Sequence, residues 1–199
     1  KFSFRGKQVL ATLIDIPFSI SPVIVGLAFL MTFGRLGWTY PAIRAINQFF
    51  GTNIRITFAL PGVVLATIFV TFPFVSREII PILNAQGKDE EEAAALMGAG
   101  GFTIFRKITL PQMKWGLIYG IILCTARALG EFGAVNALSK TRGQTFPLPL
   151  EIDALYMSGT DTSITSAFAV SSILVIIAVI VLILRNIFEY RSKNSKGIQ

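Results

Sequence analysis

Apolar residues run in four long blocks, separated by segments where charges and turn-formers gather. Residues 8–34 hold one charge, Asp15; residues 56–76 and 162–184 hold none; residues 115–139 hold Arg127 and Glu131. A helix of roughly 20 apolar residues crosses a bilayer core, and each block is that long. Lipid offers the backbone no hydrogen-bond partners, so such blocks are predicted to be helices. Prolines 17, 22, 61 and 73 fall in or near the first two, where they are expected to kink the helix. Between blocks one and two, residues 34–55 set Trp38, Tyr40, Phe49 and Phe50 around polar positions. This predicts a short interfacial helix over 41–50, at the level of the aromatic belt. The segment 140–161 is mostly polar, and Pro147 and Pro149 predict an extended loop. The basic tail, 191–199, is expected to fray.

One polar insert breaks this pattern. Residues 88–111 carry, after Lys88, four consecutive acids, Asp89 to Glu92, pass through four alanines and three glycines, and end in Leu110-Pro111. Asp89 is placed to cap a helix, with Glu92 three residues on completing a capping box. Acids in a first turn are favoured by the helix dipole, and Ala93 to Met97 are strong helix formers. Gly98 to Gly101 then end the helix. Residues 102–108 supply a second short turn, and Pro111 starts the next span. A short helix lined with small residues lets another backbone come close.

Composition agrees with a membrane protein. The chain is 53% hydrophobic and 15% charged, with a mean hydropathy of +0.65; soluble domains carry about 25% charged residues. A net charge of +7 would suggest nucleic acid in a soluble protein, but here it lies in loops and the tail. With both ends placed in the cytoplasm, twelve Lys and Arg fall inside and five outside (Arg35, Arg44, Arg55, Lys140 and Arg142). That asymmetry sets orientation and puts the insert in the cytoplasm. There is no histidine and a single cysteine, Cys124, which excludes an intrachain disulfide, a Cys/His metal cluster and a His-dependent nucleophile. A G-x-x-x-x-G-K-[ST] phosphate loop is also absent, so no bound cofactor is expected. The chain opens on Lys1 and shows no signal peptide, and is read as lacking an upstream segment.

Charges inside the blocks are the candidate chemistry, because they are costly in a bilayer and face a bundle interior or cavity. Arg127 and Glu131 are four residues apart and are predicted to share a helix face, with Gly130 and Gly133 leaving room for close backbone approach. Two readings stand side by side: a gate or polar lining on an anion path, with the guanidinium fork suited to oxyanions, or a structural pair joining two helices. Asp15 is expected to be buried, accepting hydrogen bonds at the proline kinks or pairing with a cation. Ser19 and Ser21 fit helix packing or contact with an anion in transit.

The insert's spacing is Glu92-Ala93-Ala94, three residues, Gly98, nine residues, Ile108, one residue, Leu110-Pro111. It resembles the cytoplasmic coupling loop of permease subunits of bacterial ABC importers, matching at each of these positions. Residues 126–135, ARALGEFGAV, resemble the sulfate, thiosulfate and molybdate branch of those permeases, and residues 13–27 and 139–156 are similar to its W-type sulfate/thiosulfate subunit. The resemblance implies an all-α type I permease bundle, with residues 1–199 as one domain. Its four spans are 8–34, 56–76, 115–139 and 162–184, and about two more lie upstream. It implies a bacterial inner membrane location and a coupling helix seated on an ATPase subunit. Its partners would be a T-type permease, two ATP-binding subunits carrying ATP and Mg, and a periplasmic sulfate-binding protein. Arg142, in the outer loop, joins Arg127, Gly130, Glu131 and Gly133 as a candidate for the translocation path.

Molybdate or tungstate is the alternative cargo. From other classes, a multi-pass membrane enzyme using Glu131 or Asp15 as its acid, and a passive channel or scaffold, also fit the pattern.

Overall fold

The computed structural model describes residues 5–196, with side chains for all of these but 188, 189 and 191–196. The described residues form helices joined by turns, without strands. The order is α1 (Lys7–Ser19), α2 (Pro22–Phe33), α3 (Tyr40–Phe50), α4 (Leu60–Ala85), α5 (Asp89–Leu96), α6 (Gly101–Ile104), α7 (Leu110–Leu129), α8 (Gly133–Leu138), α9 (Leu148–Met157) and α10 (Asp161–Lys196). A π-helical turn, Phe105–Thr109, joins α6 to α7.

The first apolar block is two helices. Pro22 cannot extend α1, because it lacks an N–H; it opens α2 instead, and α1 and α2 meet at 107°. The second block is longer than its uncharged stretch. α4 begins with Pro61 in its first turn, where a missing N–H costs nothing, and runs past Arg77 and Glu78 to Ala85 with Pro73 and Pro81 inside it. Two of its threonines serve the helix itself. Thr67 Oγ1 donates to the Val63 carbonyl at 2.9 Å and Thr71 Oγ1 to that of Thr67 at 2.7 Å.

Third comes α7, which stops at Gly130, so the block over 115–139 is broken before α8 begins. The Asp161–Ile187 part of α10 is more apolar than α4. Among the described residues, two helices are long and apolar enough to cross a membrane, Leu60–Ala85 and Asp161–Ile187, or three if α1 and α2 form one bent span. At 20 residues α7 is about 30 Å long, but Gln112, Lys114 and Arg127 dilute its apolar character.

Glycines set the packing. A Cβ on Gly120 would stand 3.0 Å from Val75 Cα, so α7 lies directly on α4. A Cβ on Gly26 would stand 2.5 Å from the Ala134 carbonyl oxygen, so α2 crosses α8 at backbone contact. The core lies there: Val25, Ala66, Val70, Ala134 and Leu138 are buried together. A second cluster joins Val63, Val135 and Leu150.

Several expectations are corrected. A helix stands where one was expected over 41–50, as α3. The loop over 140–161 is not extended: Pro147 is the N-cap of α9 and Pro149 sits in its first turn. Lys88, not Asp89, caps α5, no side chain caps it, and the capping box is absent because Asp89 is already helical. The tail is helical through Lys196 rather than frayed. Lys1 and residues 197–199 lie outside the described residues. Asp15 is about half exposed rather than buried, paired with Arg77 at 3.2 Å, and Arg77 also stacks over Phe18.

Candidate functional site

The insert forms a helix, a turn and a second short helix. α5 ends in a Schellman motif: the Gly98 N–H bonds the Ala95 carbonyl and the Ala99 N–H bonds that of Ala94, both at 3.0 Å. Gly98 has φ +85, a conformation that glycine adopts without strain. Among the described residues, its chain neighbours aside, nothing lies within 4 Å of where its Cβ would be. Its side of the turn is therefore open to a partner.

Around this turn Leu96, Met97 and Phe102 are 90%, 88% and 76% exposed. Three large apolar side chains gathered at one polar-flanked corner are the mark of a docking surface. Glu92 and Ala93 are exposed beside them and Ala94 is half-buried. Ile108, Leu110 and Pro111 lie on the π-helical turn and the start of α7. The seven motif positions thus divide between the outward helix and its junction with α7. Behind α5 a groove of about 470 Å³ has Leu83, Ala95, Ile104 and Phe105 among its walls.

The acids do more than favour the helix dipole. Glu91 Oε1 accepts from Thr109 Oγ1 at 2.7 Å, and Glu90 Oε2 accepts from Gln112 Nε2 at 2.5 Å. Gln86 Nε2 in turn donates to the Gln112 carbonyl at 3.0 Å. These bonds tie α5 to the start of α7 and to the residue that follows α4. Sequence reasoning missed Gln86, Thr109 and Gln112; the run of four acids was the available signal, since four carboxylates exceed what one helix terminus uses.

The second group of predicted residues sits at the far end of α7. Glu131 lies beyond the helix end, yet it still meets Arg127, with Oε2 at 2.9 Å from Nη1. The contact is an ion pair without an aligned hydrogen bond to Oε2. Glu131 Oε1 accepts from the Ala134 backbone N–H at 3.1 Å, satisfying a first-turn donor of α8. The Glu131 side chain is 2% exposed and that of Arg127 is 35%. Gly133 packs on the start of α2: a Cβ there would stand 3.1 Å from Pro22 Cβ and 3.2 Å from the Val23 nitrogen. Gly130 meets nothing closer than 3.9 Å, so the tight approach belongs to Gly133. Ser21 borders this junction on the chain, at the break between α1 and α2.

Arg142 is elsewhere in chemical terms. Its Nε lies 2.8 Å and 3.0 Å from the two Glu151 carboxylate oxygens, and Nη2 lies 2.6 Å from Oε1. Those hydrogen bonds hold the Arg142 guanidinium above its usual range. Among the described contacts none joins Arg142 to Arg127 or Glu131. No group of three or more metal-ligating side chains occurs among the described residues.

The family model for "Binding-protein-dependent transport system inner membrane component" matches residues 1–194. The chain is 43% identical, over 98% of its length, to the sulfate transport system permease protein CysW of Escherichia coli K12. Identity is 44% over 98% of the chain with the protein of the same name from Synechococcus elongatus. It is 33% over 95% with the probable sulfate transport system permease protein cysT of Chlorella vulgaris, covering 68% of that protein. The chain spans 65% of the length of the first two relatives. The chain belongs to the family of inner membrane components of binding-protein-dependent transport systems.

Proposed function

We propose that this chain is a membrane-spanning permease subunit of an ATP-driven importer of sulfate and thiosulfate in a bacterial inner membrane. The observation that carries the proposal is the likeness, 43% over 98% of the chain, to a sulfate transport system permease. The chain would cross the membrane four times, with α1–α2, α4, α7–α8 and α10 as the crossings and both ends cytoplasmic. It would pair with a T-type permease, take its anion from a periplasmic sulfate-binding protein, and rest on two ATPase subunits that hold ATP and Mg.

The chain's own geometry supports a route for the force. A partner that grips the corner of Leu96, Met97 and Phe102 moves α5. Hydrogen bonds from Glu90 and Glu91 carry that displacement to Gln112 and Thr109. α7 then moves against α4, on which it packs through Gly116 and Gly120. About 27 Å along α7 lies Arg127, whose ion pair with Glu131 joins the end of α7 to the α2–α8 crossing. The pair would then act as a hinge or gate. Glu131 is poorly placed as the acid of a membrane enzyme, because its side chain is 2% exposed.

The test is uptake. The assembled complex in proteoliposomes is given its binding protein, ATP inside, and radiolabelled sulfate, thiosulfate or molybdate outside. ATP-dependent accumulation of sulfate and thiosulfate is expected. Accumulation of molybdate alone would move the chain to the alternative cargo, and uptake that persists without the ATPase subunits would make it a passive channel.

A further inference from the structure

A second concave site lies beside α3, far along the chain from the coupling insert. The cavity is about 510 Å³, and Arg35, Arg44 and Arg55 line it with Asn47, Gln48 and Thr52. No Asp or Glu lines it, and the sequence has none between Asp15 and Glu78. Among the described residues these three arginines make no ion pair, since the pairs present use Arg77, Arg127 and Arg142.

The walls are held in place. Asn47 Oδ1 accepts from the Ile54 N–H at 2.9 Å and from Thr52 Oγ1 at 3.1 Å, while its Nδ2 donates to the Ile54 carbonyl at 3.0 Å. One side chain thus folds the 52–55 segment back on α3. Gly51 makes the turn with φ +63, and Phe58 is held at φ +57, a region that bulky residues rarely occupy. On the other side, Thr39 Oγ1 donates to the Thr32 carbonyl at 2.5 Å and anchors the start of α3.

α3 divides its faces. Tyr40, Ile43, Arg44, Asn47 and Gln48 recur at helical spacing and turn toward the cavity. Ile46 and Phe49 are exposed, as are Leu36 and Trp38 ahead of the helix. Exposed apolar and aromatic side chains beside three exposed arginines fit a cavity at the membrane–water interface. On the orientation read from the charge pattern it faces outward, where the positive-inside bias disfavours such residues. Three guanidiniums that converge without a carboxylate repel one another, and a multiply charged anion reverses that cost. The planar fork of each matches a pair of oxygens on a tetrahedral anion.

We propose that this cavity binds a tetrahedral oxyanion group of the sulfate or phosphate type, borne by a free anion or by a lipid headgroup. The inference stands apart from the transport reading, because it rests on the cavity alone. The complex, without its binding protein, is placed in nanodiscs of phosphatidylcholine. Binding of radiolabelled sulfate is compared between the native chain and an Arg35→Gln/Arg44→Gln/Arg55→Gln variant, with matched gel-filtration profiles confirming assembly. Arg44→Lys keeps the charge but loses the fork. A weakening of about tenfold for each guanidinium removed, with Arg44→Lys intermediate, supports the site with a free anion as its source. If sulfate does not bind, the same proteins are purified from membranes containing phosphatidylglycerol and co-purified lipid is counted by native mass spectrometry. Loss of that lipid in the triple variant alone supports the site with a headgroup as its source. Equal sulfate binding and equal lipid retention by native and triple-variant chains overturns the proposal. Uptake by the same native and variant complexes, reconstituted in proteoliposomes with the binding protein and ATP, separates the two ideas: native chain that binds but does not transport sulfate fails the transport reading only, and equal binding with normal uptake fails this one only.

Discussion

Two kinds of residue carry most of what the candidate sites depend on, and they fail in different ways. Arg127 and Glu131 form an ion pair whose members are unequally buried, 35% and 2% exposed. Removing Arg127 leaves a carboxylate sealed from water, which costs about 3–5 kcal/mol. Removing Glu131 leaves a guanidinium that still reaches the surface and an unpaired Ala134 N–H, a loss of about 1–3 kcal/mol. Arg127→Ala is therefore expected to lower the denaturation midpoint of the purified complex more than Glu131→Ala, and adding Glu131→Gln to Arg127→Ala should recover part of the loss. The reverse order would contradict the buried carboxylate. Gly98 is the other kind of residue. At φ +85 an alanine is disfavoured by about 1–2 kcal/mol, a local cost, and an added Cβ meets no described atom within 4 Å beyond its chain neighbours. Gly98→Trp should leave expression and folding intact while abolishing ATP-driven uptake. Normal uptake in that variant would remove the coupling role from the insert.

At the scale of elements, the same glycine-to-alanine change has two outcomes. A Cβ on Gly26 runs into the Ala134 backbone carbonyl, at 2.5 Å, where neither α2 nor α8 can turn aside. A Cβ on Gly116 meets the Cδ1 end of the Ile82 side chain, which can change rotamer. Gly26→Ala should cost about 1–3 kcal/mol by forcing two helices apart, Gly116→Ala well under that, both read from thermal denaturation. Neither crossing was legible in the sequence, since a glycine in an apolar block gives no sign of which backbone it faces. What was legible was local. Charge-free blocks gave the helices, the aromatic cluster gave α3, and the Gly98 turn was foreseen from glycine's conformational freedom. The breaks were read less well. Pro22 looked like a kink and is a 107° corner, because a proline pattern fixes where a helix is interrupted but not how far the chain turns. α9 was hidden by two prolines that, from cap and first-turn positions, start a helix rather than stretch a loop. The acids of α5 looked like a capping box, and two of them proved to be tertiary hydrogen-bond acceptors.

For the whole molecule the open physical question is how these helices lie across the bilayer. α10 has 6% of its apolar window buried within the chain, so lipid or a sister subunit covers it. α4 and α10 are apolar enough to cross unaided. α7 is long enough but charged at both ends, and a crossing by it would rest on the packing of Gly116 and Gly120 against α4. A helix of that kind is held across the membrane by its neighbours rather than by its own transfer energy. Three single-cysteine positions decide the matter, in a Cys124→Ser background: Asn53→Cys beside α3, Met97→Cys at the α5 corner, and Gln144→Cys between α8 and α9. All three native residues are exposed. In intact spheroplasts a membrane-impermeant maleimide is expected to label 53 and 144, and to label 97 after permeabilisation alone. Labelling of 97 from outside would invert the orientation that the Lys and Arg distribution supports. Labelling of 144 on the same side as 97 would make α7–α8 a hairpin that dips into the bilayer and returns, and the Arg127–Glu131 pair would then close a cytoplasmic pocket rather than stand in the outer half of a crossing.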